Sequence, residues 1–264
     1  NLAGGGLPLL VAADQEGGLV SRITEGAALF PGAMAIAAGS SLEEARQVGK
    51  NCGQMLRAMG VNVNFAPVLD VNIEPMNPII GIRSFGDQPQ AVADMGCAML
   101  EGMQEGGVIP TVKHYPGHGN VATDSHLALP CVDKPLEELE QMELAPFRAA
   151  INAGVSAIMT THILFPQIEP DPIPATMSRR IIQGLLRNNL GFQGIVVSDC
   201  MEMKAISGHY GISEGTLAAF KAGVDLVEIS HHPQWCADAA ARVLEAAEAG
   251  ELDLEEMESS VNRI

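Results

Sequence analysis

Residues 113–126, "KHYPGHGNVATDSH", gather one lysine, three histidines and one aspartate around a Pro-Gly turn. An unperturbed imidazole has a pKa near 6.5, so His114, His118 and His126 can release and recover a proton close to neutral pH. That matches what general acid–base catalysis asks of a side chain. Pro116, Gly117 and Gly119 suit a loop that must bend and close over a bound molecule. Proton transfer to and from a substrate is the chemistry this stretch could perform, provided the rest of the chain holds it over a pocket.

The elements that would hold it are legible as apolar runs. "LPLLVAAD" (7–14), "VNVNFAPVLDV" (61–71), "VIPTVKH" (108–114), "VSAIMTTHI" (155–163), "GIVVSDC" (194–200) and "VDLVEIS" (224–230) read as buried strands. Runs this continuous suit a parallel sheet covered on both faces. Helical patterns lie between them: one starting at Ser41, where Ser41 and Glu44 form a capping box, and others near 90–106, 135–153, 179–190, 213–222 and 234–249. In "SRRIIQGLLRNNLGF" the apolar Ile181, Ile182, Leu185 and Leu186 share a face, and Gly191 ends the helix. Repeated βα units over 264 residues, with no GxGxxG after any strand, favour a TIM-type (β/α)8 barrel over a dinucleotide-binding sheet. Six strands are visible, so a first βα unit is expected upstream of Asn1. No composition shift divides the chain, and 1–264 reads as a single domain.

Polar residues cluster where these strands end. Asp14, Asp70, the pair Lys113 and His114, His162 and Asp199 each close an apolar run. In a barrel those ends form the mouth where active sites sit. For one aspartate alone, capping the next helix is the better reading; five strands ending this way point to a catalytic pocket. "DQEGGLVSRI" (14–23) adds Glu16 and Arg22 around Gly17–Gly18, and "IGIRSFGDQP" (80–89) adds Arg83 in a loop.

"DQEGG", "FAPVLDV", "IGIRSFG", "KHYPGHGNVATDSH", "AIMTTHI" and "LGFQGIVVSDCMEM" occur in an order and at spacings that closely resemble the NagZ-type bacterial β-N-acetylglucosaminidases of glycoside hydrolase family 3. The resemblance runs from Leu7 to the last helix. It implies that Asp199 is the nucleophile, His126 the acid/base and Asp124 its dyad partner. It also implies that Asp14, Arg22, Arg83, Lys113 and His114 grip the N-acetylglucosamine ring. The activity implied is release of terminal N-acetylglucosamine, with cell-wall fragments as natural substrates. Leu19 stands where many relatives carry arginine, and Cys200 where this branch often has a second aspartate.

The chemistry is coherent by itself. Asp199 as an ionised carboxylate can attack the anomeric carbon to form a glycosyl-enzyme, which water then releases with retained configuration. Asp124, two residues before His126, can take the other ring N–H, fix the tautomer and stabilise the imidazolium, as the aspartate of a serine-protease triad does. Substrate-assisted hexosaminidases use adjacent Asp-Glu, and no such dipeptide occurs here. His118 reads as a brace for the turn, while His162 stands open between a satisfied pocket histidine and a substrate contact. Other readings are a zinc hydrolase built on His114, His118, His126 and Asp124 or Asp199, a phosphorylase, a family 3 β-glucosidase, and a sugar-binding protein without turnover. Lys113 beside the site and the absence of HxH and HExxH count against zinc, and no cofactor is expected.

Composition narrows the partners. A formal charge of -17, from 32 acidic and 15 basic residues, repels phosphate backbones and argues against nucleic acid. No run of about 18 apolar residues is present, so no membrane span is expected. Five scattered cysteines without CxxC exclude a disulfide framework and favour a reducing compartment. The expectation is a cytoplasmic enzyme acting on a small carbohydrate, a monomer or weak homodimer, with Asn1 in place of methionine consistent with a removed leader.

Overall fold

The computed structural model describes residues 9–121 and 129–264. In chain order the strands are β1 (Ala12–Ala13), the antiparallel ribbon β2 (Gln15–Gly17) and β3 (Val20–Ser21), then β4 (Val63–Asn64), β5 (Ile109–Tyr115), β6 (Ala157–Thr160) and β7 (Ile195–Val197). The main sheet is parallel throughout, in the order β1-β4-β5-β6-β7. A further parallel bridge joins Val197 to Leu226. All six expected runs therefore occupy sheet positions, and each new one adds at the same edge. A doubly wound sheet would reverse its order at a switch point. Monotonic winding is that of a TIM-type barrel, here a partial one: among the described residues no pair joins β1 to the Leu226 position.

The helices are α1 (Ala33–Gly39), α2 (Leu42–Ala58), α3 (Pro89–Glu105), α4 (Leu136–Gln141), α5 (Leu144–Asn152), α6 (Lys204–Ser207), α7 (Ile212–Ala222), α8 (Pro233–Glu248) and α9 (Leu254–Arg263), with a wide π-type helix at Arg180–Asn189. The Ser41 capping box is present: Ser41 Oγ accepts from the Glu44 N–H, and Glu44 Oε2 accepts from the Ser41 N–H. The helix expected over 135–153 is divided at Met142, whose backbone leaves helical geometry (φ -113°, ψ -84°). None of the described helices is long and apolar enough to cross a membrane.

Helices α2 and α3 pack through glycine. A Cβ on Gly102 would strike the Arg46 carbonyl, one on Gly49 the Met99 carbonyl, and Gly53 and Gly106 face each other with similarly little room. With no side chain between them, the two backbones come into direct contact. On the sheet, Val112, Ile158 and Val196 face the main core against the helices. Ala157, Ile195 and Val197 face the other way and pack with Phe65, Ile109 and Leu226. This period-2 alternation decides what reaches the barrel mouth.

Candidate active site

The interior face leads directly to the site. Continuing two residues at a time, Ile195 and Val197 lead to Asp199, Ile109 and Thr111 lead to Lys113, and Leu226 leads to Glu228. All three polar residues line one cavity at the C-terminal ends of the strands, with a volume of about 1030 Å³. That lies at the upper end of the roughly 300–1,000 Å³ usual for small-molecule sites. Asp14, Arg22, Arg83 and His114 line the same cavity. Six of the eight residues expected to act are thus brought together; Asp124 and His126 lie outside the described residues.

The floor is an ion cluster. Lys113 Nζ, its side chain only 3% exposed, lies 2.7 Å from Asp14 Oδ1 and 2.7 Å from Glu16 Oε1. Arg83 grips Glu16 with two bonds, Nε to Oε2 at 2.9 Å and Nη2 to Oε1 at 2.8 Å. Burial opposes ionisation of Glu16, but Lys113 and Arg83 outweigh it and bring its pKa down to about 2. Burial likewise works against the Lys113 ammonium, and Glu16 and Asp14 outweigh it, so its pKa is raised. The charges of Glu16 and Lys113 therefore persist across the physiological range, and the second Asp14 oxygen and the remaining Lys113 N–H can serve hydroxyl partners. Gly17 and Gly18, at φ 94° and 59°, make the turn from β2 into β3 directly after Glu16; a Cβ on Gly17 would strike the Pro31 carbonyl. Arg22 is exposed in the cavity, and its guanidinium makes no hydrogen bond among the described residues.

Asp70, fully buried, organises the next pair. His114 Nδ1 lies 2.6 Å from Asp70 Oδ2, and Asp70 Oδ1 accepts the backbone N–H of His118 at 2.6 Å and of His114 at 3.3 Å. Burial raises the Asp70 pKa, but His114, His118 and these bonds outweigh it and hold it below the usual aspartate value. An ionised Asp70 only accepts, so His114 donates from Nδ1, which leaves Nε2 for a ligand. The His118 backbone is pinned at both ends, its carbonyl accepting from Asn77 Nδ2 at 2.7 Å, in keeping with a bracing role. Burial first, then the neighbouring His114, brings the His118 ring to about 4. His162 is held on both nitrogens, Nδ1 2.9 Å from Thr176 Oγ1 and Nε2 3.1 Å from the Cys200 carbonyl. A carbonyl can only accept, so Nε2 is protonated and burial keeps the ring neutral with a lowered pKa. Of its two readings, His162 fits the satisfied pocket histidine, and it anchors the peptide that follows Asp199.

Asp199 Oδ1 accepts the Cys200 N–H at 2.7 Å, leaving Oδ2 for chemistry. Burial raises its pKa; His114, His162, the Cys200 amide and Lys113 outweigh that and lower it. Glu228 behaves oppositely. Burial first, then the negative charges of Asp199 and Asp14, push it up to about 7, against a hydrogen bond from Ser230 Oγ at 2.7 Å.

Because burial and its charged neighbours hold the Glu228 carboxyl above its ordinary value of 4.5, its protonated form favours folding, and that contribution is lost as pH rises from about 4.5 through 7. Glu228→Gln is therefore expected to stabilise the protein by about 2 kcal/mol at pH 8 and by well under half of that at pH 5. Urea unfolding at the two pH values measures this; equal shifts at both would refute it.

Among the residues in or under this cavity, Glu16, Asp70, Glu228 and Trp235 had no specific role assigned from the sequence. Inner-face alternation would have exposed Glu228, two residues after Leu226. Among the described residues no group of three or more His, Cys, Asp or Glu side chains is set to hold a metal ion.

The model of the glycosyl hydrolase family 3 N-terminal domain matches residues 2–264. Beta-hexosaminidase A of Pseudoalteromonas piscicida is 38% identical over 283 residues, covering 98% of this chain and 47% of that protein. The beta-hexosaminidase of Nitrosomonas eutropha (strain DSM 101675 / C91 / Nm57) is 37% identical over 232 residues, covering 86% and 66%. Among solved structures, a glycoside hydrolase family 3 beta-N-acetylglucosaminidase from Paenibacillus sp. str. FPU-7 superposes with a TM-score of 0.96 at 48% identity, covering 97% of this chain and 49% of that one. The chain thus spans between about half and two thirds of the length of these proteins.

Proposed function

The chain belongs to glycosyl hydrolase family 3, and we propose that residues 1–264 form one barrel domain carrying the catalytic centre of a retaining β-N-acetylhexosaminidase. It releases terminal N-acetylglucosamine, with peptidoglycan fragments as the natural source. The observation that carries this reading is Asp199 held by the Cys200 amide in the same cavity as Asp14, Lys113 and His114. The names of the relatives, beta-hexosaminidase and beta-N-acetylglucosaminidase, support the substrate. All five cysteines are free, which supports a reducing compartment such as the cytoplasm.

In the first step Asp199 Oδ2 forms a bond to the anomeric carbon as the bond to the leaving oxygen breaks, and the His126 imidazolium gives its proton to that oxygen. In the second, neutral His126 takes a proton from water, whose oxygen attacks the anomeric carbon and returns the electron pair to Asp199. Asp124 steadies the imidazolium between the two. Asp14, Lys113, His114 Nε2, Arg22 and Arg83 hold the sugar hydroxyls and acetamide, so that the anomeric carbon meets Asp199 in a reactive orientation.

Trapping with a 2-fluoro or 5-fluoro sugar, followed by peptide mass analysis, is expected to label Asp199; a label on another residue overturns the nucleophile assignment. His126→Ala is expected to lower kcat/KM about 1,000-fold for glycosides with poor leaving groups and about tenfold or less for activated aryl glycosides, because only the former need protonation. Equal losses on both would assign His126 to positioning.

A further inference from the structure

We infer that Trp235, backed by His232 and Glu202, is a stacking platform for a second sugar ring on the leaving-group side, so that the protein prefers substrates whose aglycone is itself a pyranose. This rests on the function proposed above and adds a second subsite to it.

Trp235 is the sole tryptophan of the chain and lies in the first turn of α8. It lines the cavity that also holds Asp199, yet its side chain is left 40% exposed. The indole is backed by a neighbouring ring. His232 stacks on it with ring centroids 3.8 Å apart and planes 28° apart. His232 Nδ1 lies 2.9 Å from Glu202 Oε2, and Glu202 Oε1 accepts the backbone N–H of His231 at 2.9 Å and of His232 at 3.0 Å. The carboxylate of Glu202 thus locks both the ring behind the indole and the segment that leads into α8. A rigid aromatic surface with a polar mount presents large contact area at little conformational cost. The ring it fits is one with an apolar C–H face and a hydroxyl rim, as a pyranose has.

The platform rises from the nucleophile's own surroundings. Glu202 follows Asp199 by three residues, and Ser230 Oγ, just before His231, lies 3.0 Å from Cys200 Sγ. The charged grip of Asp14, Glu16, Lys113 and Arg83 contains no aromatic side chain, so that part of the cavity is built for hydroxyls and the Trp235 wall is built for a ring face. A cavity of about 1030 Å³ has room for both.

The single tryptophan makes the test direct. With Asp199→Asn to prevent turnover, N,N'-diacetylchitobiose is expected to change the intrinsic fluorescence saturably, and methyl β-N-acetylglucosaminide to leave it nearly unchanged. Trp235→Ala is expected to lower the ratio of kcat/KM for the disaccharide over that for the methyl glycoside by about 10- to 100-fold, and Trp235→Phe to restore most of it. An unchanged ratio in Trp235→Ala, or an equal fluorescence response to both ligands, overturns the platform. Turnover of neither compound by the unaltered protein would instead count against the proposed hydrolase, while a disaccharide-specific fluorescence change would still support the subsite.

Discussion

Asp199→Asn is expected to lower turnover of nitrophenyl β-N-acetylglucosaminide by about 10,000-fold or more. The substitution exchanges one oxygen for an amide of nearly the same shape. Its remaining carbonyl oxygen can still accept the Cys200 N–H that Asp199 Oδ1 accepts at 2.7 Å, so the side chain keeps its orientation. On the proposed mechanism it loses the negative charge that meets the developing positive charge at the anomeric carbon, and the electron pair that forms the glycosyl-enzyme. Those contributions act chiefly in the transition state. The dissociation constant for N-acetylglucosamine is therefore expected to stay within about threefold of the original, because Asp14, Lys113 and His114 are untouched. Kinetics and calorimetric titration of the same preparation separate the two quantities. Turnover within tenfold of the unaltered protein would remove Asp199 from the mechanism.

The largest effect on stability is expected at Asp70, which no ligand need touch. Its carboxylate is completely buried and takes three hydrogen bonds, one from the His114 ring and two from backbone amides. Asp70→Ala strands all three donors away from water, and a loss of about 3–5 kcal/mol follows from removing one partner of a buried charged network. Asp70→Asn separates the structural role from the chemical one. The amide can keep one oxygen for the His118 N–H, but it turns an N–H towards His114 Nδ1. Nδ1 must then accept, which puts the proton of a neutral ring on Nε2 and changes what the ring offers the cavity. The expected result is a loss of only about 1–2 kcal/mol in stability, with kcat/KM down about 100-fold. Urea unfolding with parallel kinetics tests both variants. An Asp70→Ala midpoint equal to that of the unaltered protein would show that the network contributes nothing.

Much of the site was legible in the sequence because a barrel places strand ends together whatever the loops do. Asp14, Lys113, His114 and Asp199 could be grouped before any coordinates were known, since each closes an apolar run. Partnerships were not legible. Glu16 is tied to Arg83 across 67 residues, and Asp70 to His114 across 44; no local pattern encodes either. Glu228 sat inside a run that reads simply as a strand, and its raised pKa comes from burial together with Asp199 and Asp14, which follow other strands. Three helices also escaped the pattern, among them α6, whose four residues are too few to show a period. In α1, "AMAIAAG" has small apolar residues on every side and no period, and in α9, "LEEMESSVNR" contributes no fully buried residue. The segment at Arg180–Asn189 keeps the expected apolar face, with Ile181, Ile182, Leu185 and Leu186 buried, although its turns are wider than those of an α-helix.

The glycine contacts between α2 and α3 carry a warning for anyone mapping this protein by saturation mutagenesis. Gly49, Gly53, Gly102 and Gly106 touch no substrate, yet almost every replacement there would force the two helices apart. The strand between them in sequence, β4, leads to Asp70, so activity would fall with each such change. Scored by lost activity alone, these four positions would look as indispensable as Asp199, and only a measurement of folded protein would tell the scaffold from the chemistry.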